Sequence, residues 1–469
     1  MRKWKLLVVL YAFLFTISSG AQDAEVRKYA DRITSEDLKD YLSILASDAM
    51  EGRETGKRGQ KMAAAFIRAH FEELGLQAPV NDDYYQTFDL YTTRPGENYL
   101  KIGETRFNNF TDVTYYGNRD SKVEISASLV FAGDGSAEAL KHIDIKDKAI
   151  LVVTNEGFPS NGRLDSLEKA GAKAILISHA KSKSEFDILS NQIKSFSGGR
   201  ELTLKKPAID NSRPGAFIVS PIMTEKLLNT NRDKLLEIVK GGYKKSAMKK
   251  LKPTTIAYRT SSNLKPVKSE NVLGFLEGSD KKDEVIVITA HYDHVGIKKN
   301  GVGDVIHNGA DDDASGTSAV MQLAKVFSQA KEEGKGPRRS ILFMLVSAEE
   351  KGLLGSDYYT QHPVFPLENT VVNLNIDMIG RRDPQHASSA PYVYVIGADK
   401  LSSELNRLSE ATNKLYTNLI FDYTYNDVNH ADRLYYRSDH WNFAKNNIPI
   451  IFYFDGIHED YHLPSDEVD

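Results

Sequence analysis

Apolar and polar positions follow different rhythms along the chain, and each rhythm predicts a different kind of element. Residues 35–46 (SEDLKDYLSILA) open on a capping serine and carry leucines at helical spacing. Residues 59–74 repeat that pattern with Met62, Phe66, Ile67, Phe71 and Leu74. Both stretches predict amphipathic helices, since residues three and four apart share one helix face. Between them, Met50-Glu51-Gly52-Arg53-Glu54-Thr55-Gly56 is punctuated by glycine and predicts a loop. From Asn271 onward the apolar residues instead form continuous runs, at 285–290, 341–346, 371–376, 392–396 and 448–454, separated by helical stretches. Such runs suit strands covered on both faces, so an α/β fold with a mainly parallel sheet is expected.

The middle of the chain has a third texture. Residues 98–260 carry short β-type runs, such as 127–132 and 148–154, and one βαβ-like passage at 165–178 (DSLEKAGAKAILIS). This predicts a separate, smaller domain. The first two helices have no sheet of their own, so the middle domain reads as an insertion into one larger domain made of 22–97 and 261–469. The lysines between Lys244 and Lys252 read as a solvated helix face before the linker.

The amino-terminal pattern is different again. A cationic start, Met1-Arg2-Lys3-Trp4-Lys5, precedes an apolar run at 6–17 and the small residues Ser18-Ser19-Gly20-Ala21. Residues 1–21 therefore read as a signal peptide, and the protein is expected to be exported, to a periplasm or the exterior. The apolar run falls short of the roughly 20 residues of a spanning helix, so stable membrane insertion is not expected.

Composition narrows the chemistry. The chain has 469 residues, enough for two folded units, and no cysteine, so neither disulfides nor thiolate ligands are available. Any metal must sit on histidine, carboxylate and water. With Lys+Arg 60 against Asp+Glu 64, no global basic field exists to draw nucleic acid.

Four of the apolar runs lead into residues able to bind metal: His291-Tyr292-Asp293-His294, Ser347-Ala348-Glu349-Glu350, Asp377, and Tyr461-His462. In open α/β sheets, ligands bind beyond the carboxyl ends of strands. A fifth element, Asn308-Gly309-Ala310-Asp311-Asp312-Asp313-Ala314-Ser315-Gly316, precedes a helix. Three adjacent carboxylates suit either an acidic helix start or a bridge between cations. Two histidines and three carboxylates would give two ligands to each of two ions and share one between them, leaving positions open for water. Hydrolysis is the natural reaction of such a pair.

These residues resemble the co-catalytic zinc exopeptidases of family M28, which include bacterial leucine-type aminopeptidases and glutamate carboxypeptidase. The resemblance runs from the 50–56 loop through His291-x-Asp293, the 309–316 acidic segment, Glu349-Glu350, Asn375-Ile-Asp377-Met and Ser438-Asp439-His440 to Tyr461-His462. It implies a three-layer α/β/α catalytic domain with a mixed, mainly parallel sheet, and an inserted, β-rich protease-associated domain matched best at 144–154 and 170–179. It further implies two zinc ions per chain acting on a peptide substrate. Asp312 would bridge the ions, with His291 and Asp377 completing one and Glu350 and His462 the other. Glu349 would be the general base, Asp293 would hydrogen-bond His291, and Tyr461 would stabilise the oxyanion. His294 and His307 are expected to stay off the metal, and His440 to shape the pocket rim. Arg381, Arg382, Arg433 and Arg437 are the cations that a carboxypeptidase could use. The chain stops at Asp469, shortly after His462, so either a truncation or an early end to the fold is expected there.

Overall fold

The computed structural model describes residues 24–468, apart from 118, 142, 156–159, 199–201, 207–214, 253 and 299–300. The expected signal peptide lies outside the described residues. Among them, no helix is long and apolar enough to cross a membrane.

The apolar runs of the second half form strands. With two partners from earlier in the chain and a short strand at Ile420–Asp422, they make one eight-stranded sheet. The strands are β1 (Tyr85–Pro95), β2 (Ser262–Leu276), β3 (Lys281–His291), β4 (Arg339–Val346), β5 (Thr370–Ile376), β6 (Tyr392–Ile396), β7 (Ile420–Asp422) and β8 (Ile450–Phe454). Their spatial order is β1-β2-β4-β3-β5-β8-β6-β7. The central strands β4, β3, β5 and β8 run parallel, while β2 and β6 join them antiparallel.

β4 makes clear why its sequence is apolar throughout. Ile341, Phe343 and Leu345 enter a core shared with helices α1 (Ser35–Leu45), α2 (Arg58–Glu73) and α3 (Gly316–Glu332). Leu342, Met344 and Val346 enter the core of the opposite face, beside Tyr359 and Phe443. Both faces are therefore covered, giving three α/β/α layers. Each large apolar side chain so buried contributes roughly 1.5–3 kcal/mol.

Two local expectations need correction. Thr34, not Ser35, caps α1: its extended backbone lets its hydroxyl accept from the Asp37 amide at 3.1 Å. α2 buries Ala63, Ala64, Ile67 and Phe71, while Met62 of the expected apolar face stays exposed.

Residues Leu90–Val267 form a second compact unit. Its limits lie outside the expected 98–260 because β1 and β2 run on past the point where the units divide. It has its own eight-stranded sheet, in the order Thr105–Asn108, Tyr99–Ile102, Thr254–Arg259, Ile125–Phe131, Ala149–Val153, Ala174–Ser178, Ala216–Val219, Val113–Tyr116. The βαβ-like passage is real, with helix Asn161–Lys169 linking parallel strands. Further helices at Lys183–Gly198, Pro221–Leu228 and Arg232–Lys240 make this unit α/β rather than simply β-rich.

Candidate metal centre

The parallel strands deliver their chemistry at one edge. β3 ends on His291, β4 is followed by Glu349 and Glu350, and β5 by Asp377. The loop after β8 supplies Tyr461 and His462, and the acidic segment before α3 supplies Asp312. These side chains gather into two groups with mutually close ligand atoms: His291, Glu349 and Asp377 in one, and His294, Asp312, Glu350 and His462 in the other.

Asp312 reaches both groups. Its Oδ1 lies 3.2 Å from His291 Nε2, while its Oδ2 lies 2.9 Å from His462 Nε2 and 3.7 Å from His294 Nδ1. His291 Nε2 also lies 3.5 Å from Asp377. Glu350 Oε1 sits 3.2 Å from His462 and 2.9 Å from His294.

Among the described residues, no lysine or arginine pairs with Asp312, Glu349, Glu350 or Asp377. So many buried acids without cationic partners would repel strongly unless ions held them together. The same field acts on the histidines. Burial alone would lower the pKa of His291, but Asp377, Glu349 and Asp312 hold it well above the ordinary range. His462 is likewise lifted to about 10, against the pull of burial, by Asp312 and Glu350. In addition, His294 Nε2 is buried without a hydrogen-bond partner, and His294 Nδ1 and Glu350 Oε1 lie close together without the geometry of a hydrogen bond. These donors suit zinc, which takes imidazole and carboxylate together.

Neighbouring groups orient the donors. The His291 Nδ1–H donates to the carbonyl of Asp293 at 3.1 Å, which fixes Nε2 as the free nitrogen. The expected bond between His291 and Asp293 is thus made by the backbone carbonyl and not by the Asp293 carboxylate. That carboxylate instead accepts from the Thr55 hydroxyl at 2.7 Å and from the Glu349 amide at 3.2 Å, and so positions Glu349. Asp377 accepts from Ser438 at 2.6 Å, and Ser438 accepts from Asn375 at 2.9 Å.

Asp313 accepts from the amides of His291, Gly316 and Met378, which ties three ligand-bearing segments together. Asp311 bonds the Gly380 amide at 2.7 Å. Asp466, wholly buried, accepts from the amides of Asp311 and Asp312, so the chain beyond His462 is pinned to the acidic segment.

The 50–56 loop contributes a buried cation that no spacing argument could find. Arg53 donates to the carbonyls of Leu45, Tyr292, Asn308 and Gly309 at 2.6–2.9 Å, clamping two ligand-bearing loops. Gly52 beside it has φ +63°, and a Cβ there would stand 2.5 Å from the His307 carbonyl.

Three histidines differ in outcome. His307 stays off the ligand groups and donates from Nδ1 to the His462 carbonyl at 2.9 Å. His294, expected to stay away, joins the second group. His440 is not on the rim: it is buried and stacked on Phe452, with ring centroids 4.5 Å apart.

Two cavities open on the groups. One of about 560 Å³ is lined by Glu349, Glu350, Tyr461 and His462, together with Tyr436, Arg437 and Trp441. A smaller one reaches His291, Asp312 and Asp377 and is walled by Met378, Leu434, Phe452, Phe454 and Ile457. Tyr461 borders both, its ring stacked on His462 at 3.9 Å.

Residues 271–469 match peptidase family M28. A probable zinc metalloprotease of Pyrenophora tritici-repentis (strain Pt-1C-BFP) is 35% identical over 151 residues, 30% of this chain and 28% of that protein. Aminopeptidase YwaD of Bacillus subtilis (strain 168) is 33% identical over 114 residues, 24% of this chain and 22% of that protein. The match thus spans less than a third of either relative. Among solved structures, an aminopeptidase from Aneurinibacillus sp. strain AM-1 aligns over 94% of this chain and 89% of its own, at 20% identity and a TM-score of 0.46.

Proposed function

We propose that this chain is a zinc metallopeptidase of family M28, and within it an aminopeptidase that removes amino-terminal residues from peptides. The observation that carries the reading is Asp312, whose two carboxylate oxygens face different donor groups. His291, Asp377 and Asp312 would hold one zinc ion, and Asp312, Glu350 and His462 the other. His294 stands as a further donor to the second. When bound, such a pair supplies Lewis-acid polarisation of the scissile carbonyl and acidifies water.

The protein's own groups do the rest. Glu349 takes the proton from the attacking water and passes it to the leaving amine. Burial lifts its carboxyl well above the ordinary carboxylate range, which suits a group that must hold a proton between steps. The Tyr461 phenol, whose pKa burial also raises, stays protonated and donates to the oxyanion as it develops. Met378, Leu434 and Phe452, which wall the small cavity beside His291, give the side chain of the residue being released an apolar surface to pack against.

Amino-acid anilides assayed against amino-blocked peptides, with and without a chelator, test this directly. Chelator-sensitive anilide turnover is expected. Activity confined to blocked peptides would overturn the aminopeptidase assignment in favour of a carboxypeptidase.

Two wider assignments belong to the same proposal. The unit at 90–267 is a protease-associated domain, supported by its position between the halves of the peptidase domain and by residues 144–154 and 170–179. Excising it behind a short linker should leave zinc binding by the remaining chain intact, and loss of binding by a folded product would count against a separate module. The protein is exported, supported by the character of residues 1–21. Cell fractionation that recovered an uncleaved chain from the cytoplasm would overturn this.

A further inference from the structure

Arg437 is the cation for which the metal centre has no internal use. It follows the short helix Leu434–Tyr436, is exposed, and lines both the larger cavity and the smaller one. Among the described residues, its guanidinium has no hydrogen bond or ion pair.

The other nearby cations are already engaged. Lys445, on the wall of the same larger cavity, pairs with Asp357 at 2.6 Å. Arg433 lies over the Tyr436 ring at 4.8 Å. Arg381 faces Asp460 and Asp466, each at 3.5 Å, and Arg382 bonds the carbonyls of His386 and Ser389. Of the four arginines that could meet a substrate carboxylate, Arg437 alone borders the cavities.

Its place relative to the donors sets what it can reach. It borders the space next to Glu349 and Tyr461 from both sides. Bound zinc would balance the carboxylates of the two groups, leaving Arg437 as uncompensated positive charge. One extended residue spans only about 3.5 Å. A substrate whose first side chain packs against Met378, Leu434 and Phe452 would therefore place its second residue in the larger cavity, on the wall that Arg437 shares with both. A guanidinium recognises a carboxylate through paired N–H donors.

We propose, resting on the aminopeptidase reading, that Arg437 binds the terminal carboxylate of a dipeptide and so makes dipeptides with a free carboxyl end the preferred substrate class. Trp441 and Tyr436, on the same wall, cover the apolar part of the second residue. The role is one of specificity and involves no bond-making.

The test compares kcat/KM for Leu-Gly and Leu-Gly-amide in the zinc-loaded full chain and in Arg437→Met and Arg437→Lys. The wild type should favour the free acid by about tenfold or more, the worth of a hydrogen bond to a charged group. Arg437→Met should bring that ratio close to one, and Arg437→Lys should keep part of it. A wild-type ratio near one, or a ratio unchanged in Arg437→Met, would overturn the proposal. So would an Arg437-dependent preference seen only for Leu-Asp-amide over Leu-Asn-amide, which would move the carboxylate to a side chain. Calorimetric titration of Leu-Gly and its amide into zinc-loaded Glu349→Gln, alone and combined with Arg437→Met, gives the corresponding ratio of affinities without turnover. If leucine anilide were not cleaved at all, the functional reading would fall, while equal binding of acid and amide would still be needed to overturn the role of Arg437.

Discussion

Glu349 and Glu350 are adjacent in the chain but lie in opposite electrostatic surroundings. Burial lifts the Glu349 carboxyl well above the usual range. Burial and Asp312 push Glu350 the same way, but His294 and His462 prevail and hold it down to about 2. Glu349→Gln should therefore lower kcat by roughly 10²–10⁴-fold with zinc content intact. Glu350→Gln should instead lose zinc, read as metal per chain after dialysis. His440 gives a separate prediction. Burial lowers its pKa from 6.5 to about 3, opposed by the Tyr435 carbonyl. The folded state thus binds its proton less readily than the unfolded chain, so this contribution to stability is complete above about pH 6.5 and fades as pH falls toward 3. Within that window the slope is about 1.4 kcal/mol per pH unit. His440→Phe should remove it, as measured by urea midpoints between pH 7 and 4. The glutamate pair was legible in the sequence because it follows an apolar run. His294 was not, since a set of five donors already looked complete and only the loop conformation turns its ring toward Glu350.

At the scale of elements, strands legible from apolar runs lie where those runs predict, because burial on both faces keeps the runs apolar apart from a few positions such as Asn373 and Asn375. β6 matches its run residue for residue, and β8 begins at Ile450 after the turn at Asn447. β2 was hidden because its first half, with Lys265, Pro266 and Lys268, is largely polar, and the continuously buried part from Ser269 onward itself opens on the polar Ser269, Glu270 and Asn271. The anchors between elements were hidden for another reason. Arg53 and Asp466 act on backbone carbonyls and amides, which carry no residue signature. Arg53→Met would strip four carbonyls of their donor within a buried site. Unfolding in denaturant should show a loss on the order of 3 kcal/mol or more, accompanied by weaker zinc retention.

Across the whole molecule, positive charge is placed very unevenly with respect to the acids of the metal centre. Their partners are histidines, the Ser438 hydroxyl and backbone amides, so cations must come from solution. Zinc at about 100 times its dissociation constant should stabilise the unit that carries the centre by about 2.7 kcal/mol for each ion bound. Calorimetry of the full chain before and after chelation should show one transition that moves and another, from Leu90–Val267, that does not. A shift of both together would mean that the two units unfold as one. Two units were legible from the change in texture near residue 98, whereas their true limits were not, because β1 and β2 are continuous strands across the division.

The pin at Asp466 also bears on the order of events during synthesis. The donors span His291 to His462, and the amides of Asp311 and Asp312 find their acceptor only at Asp466. Every strand of the Leu90–Val267 unit has been made by Arg259, well before the first donor leaves the ribosome. That unit can assemble on the nascent chain, but the metal centre cannot. Zinc can therefore be held by the complete donor set only once the chain has been made as far as Asp466.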